Sequence, residues 1–122
     1  RLLALKGAEI IFNPSDFNLM TGKDHWEVLL RARAIENGVY MIAADQYGQN
    51  AKMLAYGNSL VVNPWGTVIA RAGDGEQILY ADIDLDGLAE IRNRMQTLEN
   101  RQSEVYRLSE NAQNVARNTD GK

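Results

Sequence analysis

The chain contains no cysteine, a single histidine and only two prolines among its 122 residues. Without cysteine it forms no disulfide, offers no thiolate to a metal and supplies no thiol nucleophile. Its apolar runs all fall short of the roughly 18 residues that a membrane-spanning helix needs. The first residues also lack the apolar core of a secretory signal. We therefore expect no membrane partner and a cytoplasmic location.

An excess of basic residues is also missing, since 16 acidic residues outweigh 13 Lys and Arg and give a net charge of −3. Nucleic-acid-binding domains usually carry a basic stripe, so we expect no nucleic-acid partner. Apolar residues make up 45% of the chain and charged residues 24%, which is typical of a folded globular domain. The length suits one domain or part of a larger one.

The opening residues 1–6 are strong helix formers without an N-cap, and Lys6 followed by Gly7 is typical of a helix end. A helix of six residues is marginal in water. We interpret this segment as the last turns of a helix that begins before residue 1. A short, complete N-terminal helix is the alternative.

Hydrophobic periodicity predicts a strand, a helix and a second strand over residues 8–13, 24–37 and 39–44. Asp24 is the expected N-cap of that helix, and Gly38 ends it. A βαβ unit implies a parallel strand pair with a right-handed crossover. Further strands are predicted over residues 58–63, 67–71 and 77–85, separated by turns, with residues 45–57 as a loop. We therefore expect an α/β fold with a mixed sheet.

The last part of the chain is predicted to begin with a helix capped by Asp86, with one or two more helical turns over residues 99–108. Residues 1–108 are expected to form one piece of one domain, and residues 109–122 a polar tail. Asp82, Asp84 and Asp86 imitate the opening of an EF-hand loop, but the twelfth position is Asn93 rather than the required Glu. We expect no metal site.

Three stretches, in this order and spacing, resemble the carbon–nitrogen hydrolases of the nitrilase superfamily. They are GAEIIFNPS at residues 7–15, TG at 21–22 followed by HWEVLLRARAIEN at 25–37, and YGNSLVVNPWG at 56–66. The sequence FNLMTG at residues 17–22 is most similar to the omega-amidase and aliphatic-amidase branch. The resemblance spans residues 1–108 but corresponds only to the C-terminal half of the family's αββα sandwich. It implies a nitrilase-like half-domain with a mixed β-sheet.

The resemblance also implies a chemistry in which a Cys thiolate attacks an amide carbon and water releases the acyl group from the thioester. A Glu moves the protons, and a Lys stabilises the developing oxyanion. In the family these residues precede the segment that matches Arg1, so no catalytic residue is expected in this chain. The parent protein is expected to cleave a small linear amide or carbamoyl compound without a cofactor, and this chain alone to be inactive. A non-catalytic interaction module and one half of a split two-chain enzyme are the alternatives.

The loop of residues 13–22 is the expected substrate contact, because it follows the carboxyl end of a strand, where open α/β sheets bind ligands. Apolar side chains in it are suited to wall a small pocket, and its hydroxyls to bond a polar group. An ordinary loop with a buried Phe is the alternative. The substrate-pocket candidates are Asn13, Ser15, Phe17, Met20 and Thr21.

The helix of residues 24–37 is the expected protein–protein or half–half interface, since family members pair. Arg33 and Glu36 stand at i,i+3 spacing, and an exposed pair of this kind contributes only a few tenths of a kcal/mol. The interface candidates are Trp26, Arg31, Arg33 and Glu36. We expect a homo-oligomer or a missing N-terminal half as the partner. Asn58 and Asp45 depart from the family's usual His and Asn.

Overall fold

The computed structural model describes residues 1–110, and residues 111–122 of the predicted 109–122 tail lie outside the described residues. The helices are α1 (Leu2–Leu5), α2 (Leu19–Thr21), a π-helical segment (Gly22–Trp26), α3 (Glu27–Asn37) and α4 (Leu85–Met95). The strands are β1 (Ile10–Phe12), β2 (Tyr40–Ala43), β3 (Tyr47–Gln49), β4 (Leu54–Tyr56), β5 (Leu60–Val62) and β6 (Val68–Arg71). Over this part of the chain, no helix combines the length and apolarity needed to cross a membrane.

Four strands form one sheet in the order β1-β2-β5-β6. β1 and β2 pair in parallel, with Ile11 opposite Met41, and α3 makes the crossover between them. β5 runs antiparallel to both β2 and β6. The predicted βαβ unit and mixed sheet are therefore confirmed, because the hydrophobic strand runs and the amphipathic helix lie where periodicity placed them.

The core lies between α3 and one face of this sheet. Leu30 and Ala34 of α3 meet Met41 of β2 and Leu60 and Val62 of β5, all of them buried. Burying a large aliphatic side chain stabilises the fold by about 1.5–3 kcal/mol. Gly38 ends α3 at φ +57°, a conformation that suits glycine, and the chain then turns directly into β2.

The opposite face of the sheet carries an apolar row that follows the strand register. Phe12 lies opposite Ile42, Ile42 opposite Val61, and Val61 opposite Ala70. The segment before α4 reaches part of this face, where the Tyr40 hydroxyl accepts from the Asp84 N–H and donates to its carbonyl, both at 3.2 Å. Phe12, at the β1 edge, is 70% exposed.

Several sequence predictions are wrong in detail. The strand predicted over residues 77–85 does not form, because its apolar and polar residues alternate in sequence but no neighbouring strand pairs with them within residues 1–110. The turn predicted between residues 71 and 77 therefore joins no hairpin within the described residues. Asp84, not Asp86, caps α4, with its carboxylate 2.9 Å from the Gly87 N–H. Residues 99–108 form isolated turns rather than helix.

The helical region that precedes the core also differs from its prediction. Helical structure begins at Leu19, and Asn18 rather than Asp24 is the cap, with its side chain accepting from the Met20 N–H at 2.8 Å. Asp24 lies inside the π-helical segment. Part of the predicted loop over residues 45–57 is a hairpin, in which β3 and β4 pair antiparallel. Neither hairpin strand shows a strong apolar alternation, so hydrophobic periodicity does not predict this hairpin.

Candidate functional site

The loop of residues 13–22 is joined to the carboxyl end of β2 by backbone hydrogen bonds. The Asn13 N–H donates to the Ile42 carbonyl and the Ser15 N–H to the Ala44 carbonyl. The Gln46 N–H donates to the Ser15 carbonyl. These bonds extend the parallel pairing of β1 and β2 to a bridge between Ser15 and Asp45. Pro14, which has no N–H to donate, lies between the two donors. The loop therefore begins in a fixed position at the sheet edge.

The second half of this loop is held by the β3–β4 hairpin. The Tyr56 N–H donates to the Phe17 carbonyl at 2.8 Å, and Asn18 forms an antiparallel bridge with Ala55. Gly22 lies under the Tyr56 ring so closely that a Cβ atom there would come within 2.6 Å of Tyr56 Cδ1. The glycine of the TG pair is thus required by packing against the hairpin.

The half-buried Phe17 ring packs against Trp26, with ring centroids 5.2 Å apart and planes tilted by 52°. Such tilted aromatic pairs contribute about 0.5–1.5 kcal/mol beyond area burial. The Trp26 indole N–H donates to the Asn58 carbonyl at 2.9 Å. The loop, the helical region and the turn before β5 are therefore connected through two aromatic side chains.

Asp45 stands at the carboxyl end of β2, where these segments meet. Its Oδ1 accepts from the Phe17 N–H at 2.7 Å, and its own N–H donates to the Ser59 Oγ at 3.0 Å. Burial raises the pKa of the Asp45 carboxyl above its ordinary value, and the nearby Asp16 charge acts in the same direction. The backbone N–H groups of Phe17, Gly57 and Gln46 partly oppose this rise in the pKa.

Two clefts flank this region. A cleft of about 390 Å³ lies beside Asp45, Tyr47 and Ser59 and is bordered on another side by residues of the 72–79 segment. A second cleft of about 340 Å³ lies between α1, β1 and α3, where Phe17 and Trp26 contribute to an apolar wall. Both openings are thus bordered by residues that the 13–22 loop contacts or contains.

The five substrate-pocket candidates do not line one cavity. Asn13 and Phe17 line the apolar cleft, and the Asn13 amide lies 3.3 Å from the Ser15 hydroxyl. Met20 is 76% exposed and belongs to neither cleft lining, and the Thr21 hydroxyl donates to the Asn18 carbonyl at 3.3 Å. Their roles toward a substrate stay a prediction.

The four interface candidates also separate by burial. Trp26 is 1% exposed, so its side chain packs in the core of this chain, and its part in an interface stays a prediction. Arg31 Nε donates to the Gly66 carbonyl at 2.8 Å, which ties α3 to the turn between β5 and β6. Arg33 and Glu36 form the predicted i,i+3 ion pair at 2.7 Å on the surface of α3.

Sequence reasoning noticed Asp45 as a departure from the family pattern but did not find its contacts with residues 17 and 59. Those contacts form only when the loop folds back over the sheet edge. A local sequence pattern does not predict such a long-range arrangement. Residues 1–110 bring together no three His, Cys, Asp or Glu side chains able to hold a metal. With no cysteine in the sequence, the arrangement can shape a site but supplies no thiol.

The sequence profile described as carbon-nitrogen hydrolase matches residues 1–93. The chain is 48% identical to human deaminated glutathione amidase over 105 residues, covering 85% of this chain and 32% of that protein. It is 45% identical to the Bos taurus omega-amidase NIT2 over 107 residues, covering 87% of this chain and 39% of the relative. The chain therefore spans about a third of the length of these relatives.

Solved structures agree with this assignment. The crystal structure of the C. elegans NitFhit protein superposes with a TM-score of 0.82 at 41% identity, covering 89% of this chain and 28% of that one. The carbon-nitrogen hydrolase from Helicobacter pylori G27 gives a TM-score of 0.77 at 32% identity, covering 87% and 42%. The fold, the sequence motifs and the matched profile agree, and the chain belongs to the carbon–nitrogen hydrolase family.

Proposed function

We propose that this chain is the C-terminal part of a carbon–nitrogen hydrolase that cleaves a small linear amide or carbamoyl compound through a Cys thioester. The observation that carries the proposal is the family match over residues 1–93 in a chain that contains no cysteine. The names of the relatives, deaminated glutathione amidase and omega-amidase, support an amide as the substrate class.

In this proposal the Cys, Glu and Lys of the reaction come from sequence outside the chain. The thiolate attacks the amide carbon, the Lys stabilises the oxyanion, and the Glu gives a proton to the leaving ammonia or amine. Water then attacks the thioester, with the same Glu as base, and releases the acid. This chain contributes the 13–22 loop, which binds and orients the substrate beside the thiol.

The apolar row on the second face of the sheet supports a missing half as the partner. Phe12 is 70% exposed at an edge strand, and an exposed apolar side chain beside an unpaired strand edge favours association. We propose that the N-terminal half covers Phe12, the exposed end of this row, since Val61 is already buried within this chain. We further propose that the protein forms a homo-oligomer through α3, with Arg31, Arg33 and Glu36 at the contact. Its proposed location is the cytoplasm.

Ammonia release tests the proposed activity. The parent protein and the isolated 122-residue chain are incubated with a series of unbranched aliphatic amides and an N-carbamoyl amino acid. We expect ammonia from the parent and none above background from the chain. The intact mass of the parent distinguishes a longer single chain from two separate chains. Turnover by the purified chain without any partner would contradict the proposal, as would a parent inactive on every amide and on the carbamoyl compound.

A further inference from the structure

Asp45 is the point at which three separate segments are held together. Its side chain bonds the 13–22 loop through the Phe17 N–H at 2.7 Å. Its backbone N–H donates to the Ser59 hydroxyl, which donates in turn to the Asp45 carbonyl at 3.3 Å, so the turn before β5 is attached to the same residue. The bridge with Ser15 adds the start of the loop.

The surroundings of the carboxyl group favour a fixed acceptor rather than an ion pair. Its Oδ2 atom is buried and accepts no hydrogen bond from residues 1–110, and no salt bridge in that part of the chain includes it. The titratable groups around it are Asp16 in the loop and Tyr47 and Glu76 across the larger cleft. The Phe17 amide is therefore its principal partner.

We propose that Asp45 is a positioning residue that fixes the 13–22 loop, and with it the Phe17 ring, for substrate binding. The inference rests on the proposed function for its catalytic consequence, but the contact itself does not. Phe17 lies between two constraints, the Asp45 carboxylate at its N–H and the Tyr56 N–H at its carbonyl. Without the Asp45 carboxylate the Phe17 N–H loses its acceptor, and the middle of the loop becomes more mobile between the bonds that remain at Ser15 and at the Phe17 carbonyl. Substrate affinity falls, while the chemistry performed by residues outside the chain is unchanged.

The Asp45→Ala and Asp45→Asn variants of the parent protein test this assignment. Asn keeps an oxygen acceptor for the Phe17 N–H and Ala does not. We expect Asp45→Ala to raise KM about tenfold with kcat within about twofold, the pattern of lost ground-state binding. Asp45→Asn should keep KM within about twofold of the unsubstituted value. Asp24→Ala, in the exposed part of the π-helical segment, is the matched control and should change neither constant.

Amide hydrogen exchange separates failure of this inference from failure of the proposed function. Exchange at Phe17 and along the loop should be about tenfold faster in Asp45→Ala and unchanged in Asp45→Asn. If the parent shows no amidase activity but this exchange pattern holds, the proposed function fails and the positioning role stands. Equal exchange in all variants, or a fall in kcat alone, would overturn the positioning role. If Asp45→Ala does not fold, the chemical shift of the Phe17 amide proton in the unsubstituted protein provides the test. The shift must change with pH as the Asp45 carboxyl titrates, and a shift that does not change would overturn the positioning role.

Discussion

Arg92 of α4 donates a hydrogen bond from Nε to the carbonyl oxygen of Gly38 at 2.7 Å. The same guanidinium reaches the Ala8 carbonyl at 2.6 Å. One side chain therefore joins the last helix to the end of α3 and to the segment that leads into β1. Because a planar guanidinium can serve two fixed acceptors at once, Arg is the residue suited to this position.

Replacing Arg92 by Ala should lower the free energy of unfolding by about 2–3 kcal/mol, because two charge-assisted hydrogen bonds to backbone carbonyls are lost. Arg92→Lys should recover less than half of that, since one ammonium cannot reproduce the fork. Arg94→Ala is the matched control: this exposed residue lies 5.4 Å from the Trp65 ring centre, a contact worth about 0.5–1 kcal/mol. Urea denaturation measures the free energy of unfolding of the three variants. Equal decreases for Arg92→Ala and Arg94→Ala would show that the two backbone hydrogen bonds of Arg92 add no stability.

Asn58 occupies the left-handed region at φ +55°, where the family usually has His. Asn58→Gly and Asn58→His should change stability by less than about 1 kcal/mol, because Gly, Asn and His tolerate this conformation. Asn58→Val should cost about 1–2 kcal/mol, since a β-branched side chain does not. Thermal unfolding followed by Trp fluorescence measures the series. A valine variant as stable as the glycine variant would show that the turn is not strained.

The raised pKa of Asp45 fixes the sign of a pH effect. The folded protein binds this proton more tightly than the unfolded chain, whose carboxyl titrates near its ordinary value of about 3.9. The contribution of protonated Asp45 to the free energy of unfolding is therefore complete below the pKa of the unfolded chain. It is lost as pH rises through the higher pKa of the folded protein. Asp45→Asn removes the buried charge and should be more stable than the unsubstituted protein at neutral pH. The gain should shrink as pH falls, and a gain that grows in acid would contradict this.

The exposed Phe12 predicts that the isolated chain self-associates, because the apolar row on the sheet then lacks the proposed N-terminal half. Light scattering should give a mass above that of one chain, and Phe12→Asp should shift it towards the monomer. Met20→Asp is the matched control, since Met20 is similarly exposed but lies outside this row. A monodisperse monomer of the unsubstituted chain, or dissociation by both substitutions alike, would remove Phe12 as the cause.

The elements that sequence predicted correctly are those with their own hydrophobic period, namely β1, α3, β2, β5 and β6, together with the Gly38 helix end. The failures have tertiary causes. Residues 77–84 alternate like a strand but have no neighbouring strand within residues 1–110, and Asn18 begins a helical region that lacks a capping box. At the candidate site the 13–22 loop was identified from its motif. The bond between Asp45 and the Phe17 amide spans 28 positions, so no local pattern could predict it.

We propose that this chain shapes the site of an amide hydrolase and that the nucleophile is a cysteine outside it. The most direct test is to quench the parent protein with acid during turnover of a linear amide and map the covalent acyl group by peptide mass spectrometry. We predict the acyl group on a cysteine outside residues 1–122, attached as a thioester that hydroxylamine releases. An acyl group attached to a residue of this chain, or steady turnover with no acyl adduct on any cysteine, would contradict the account.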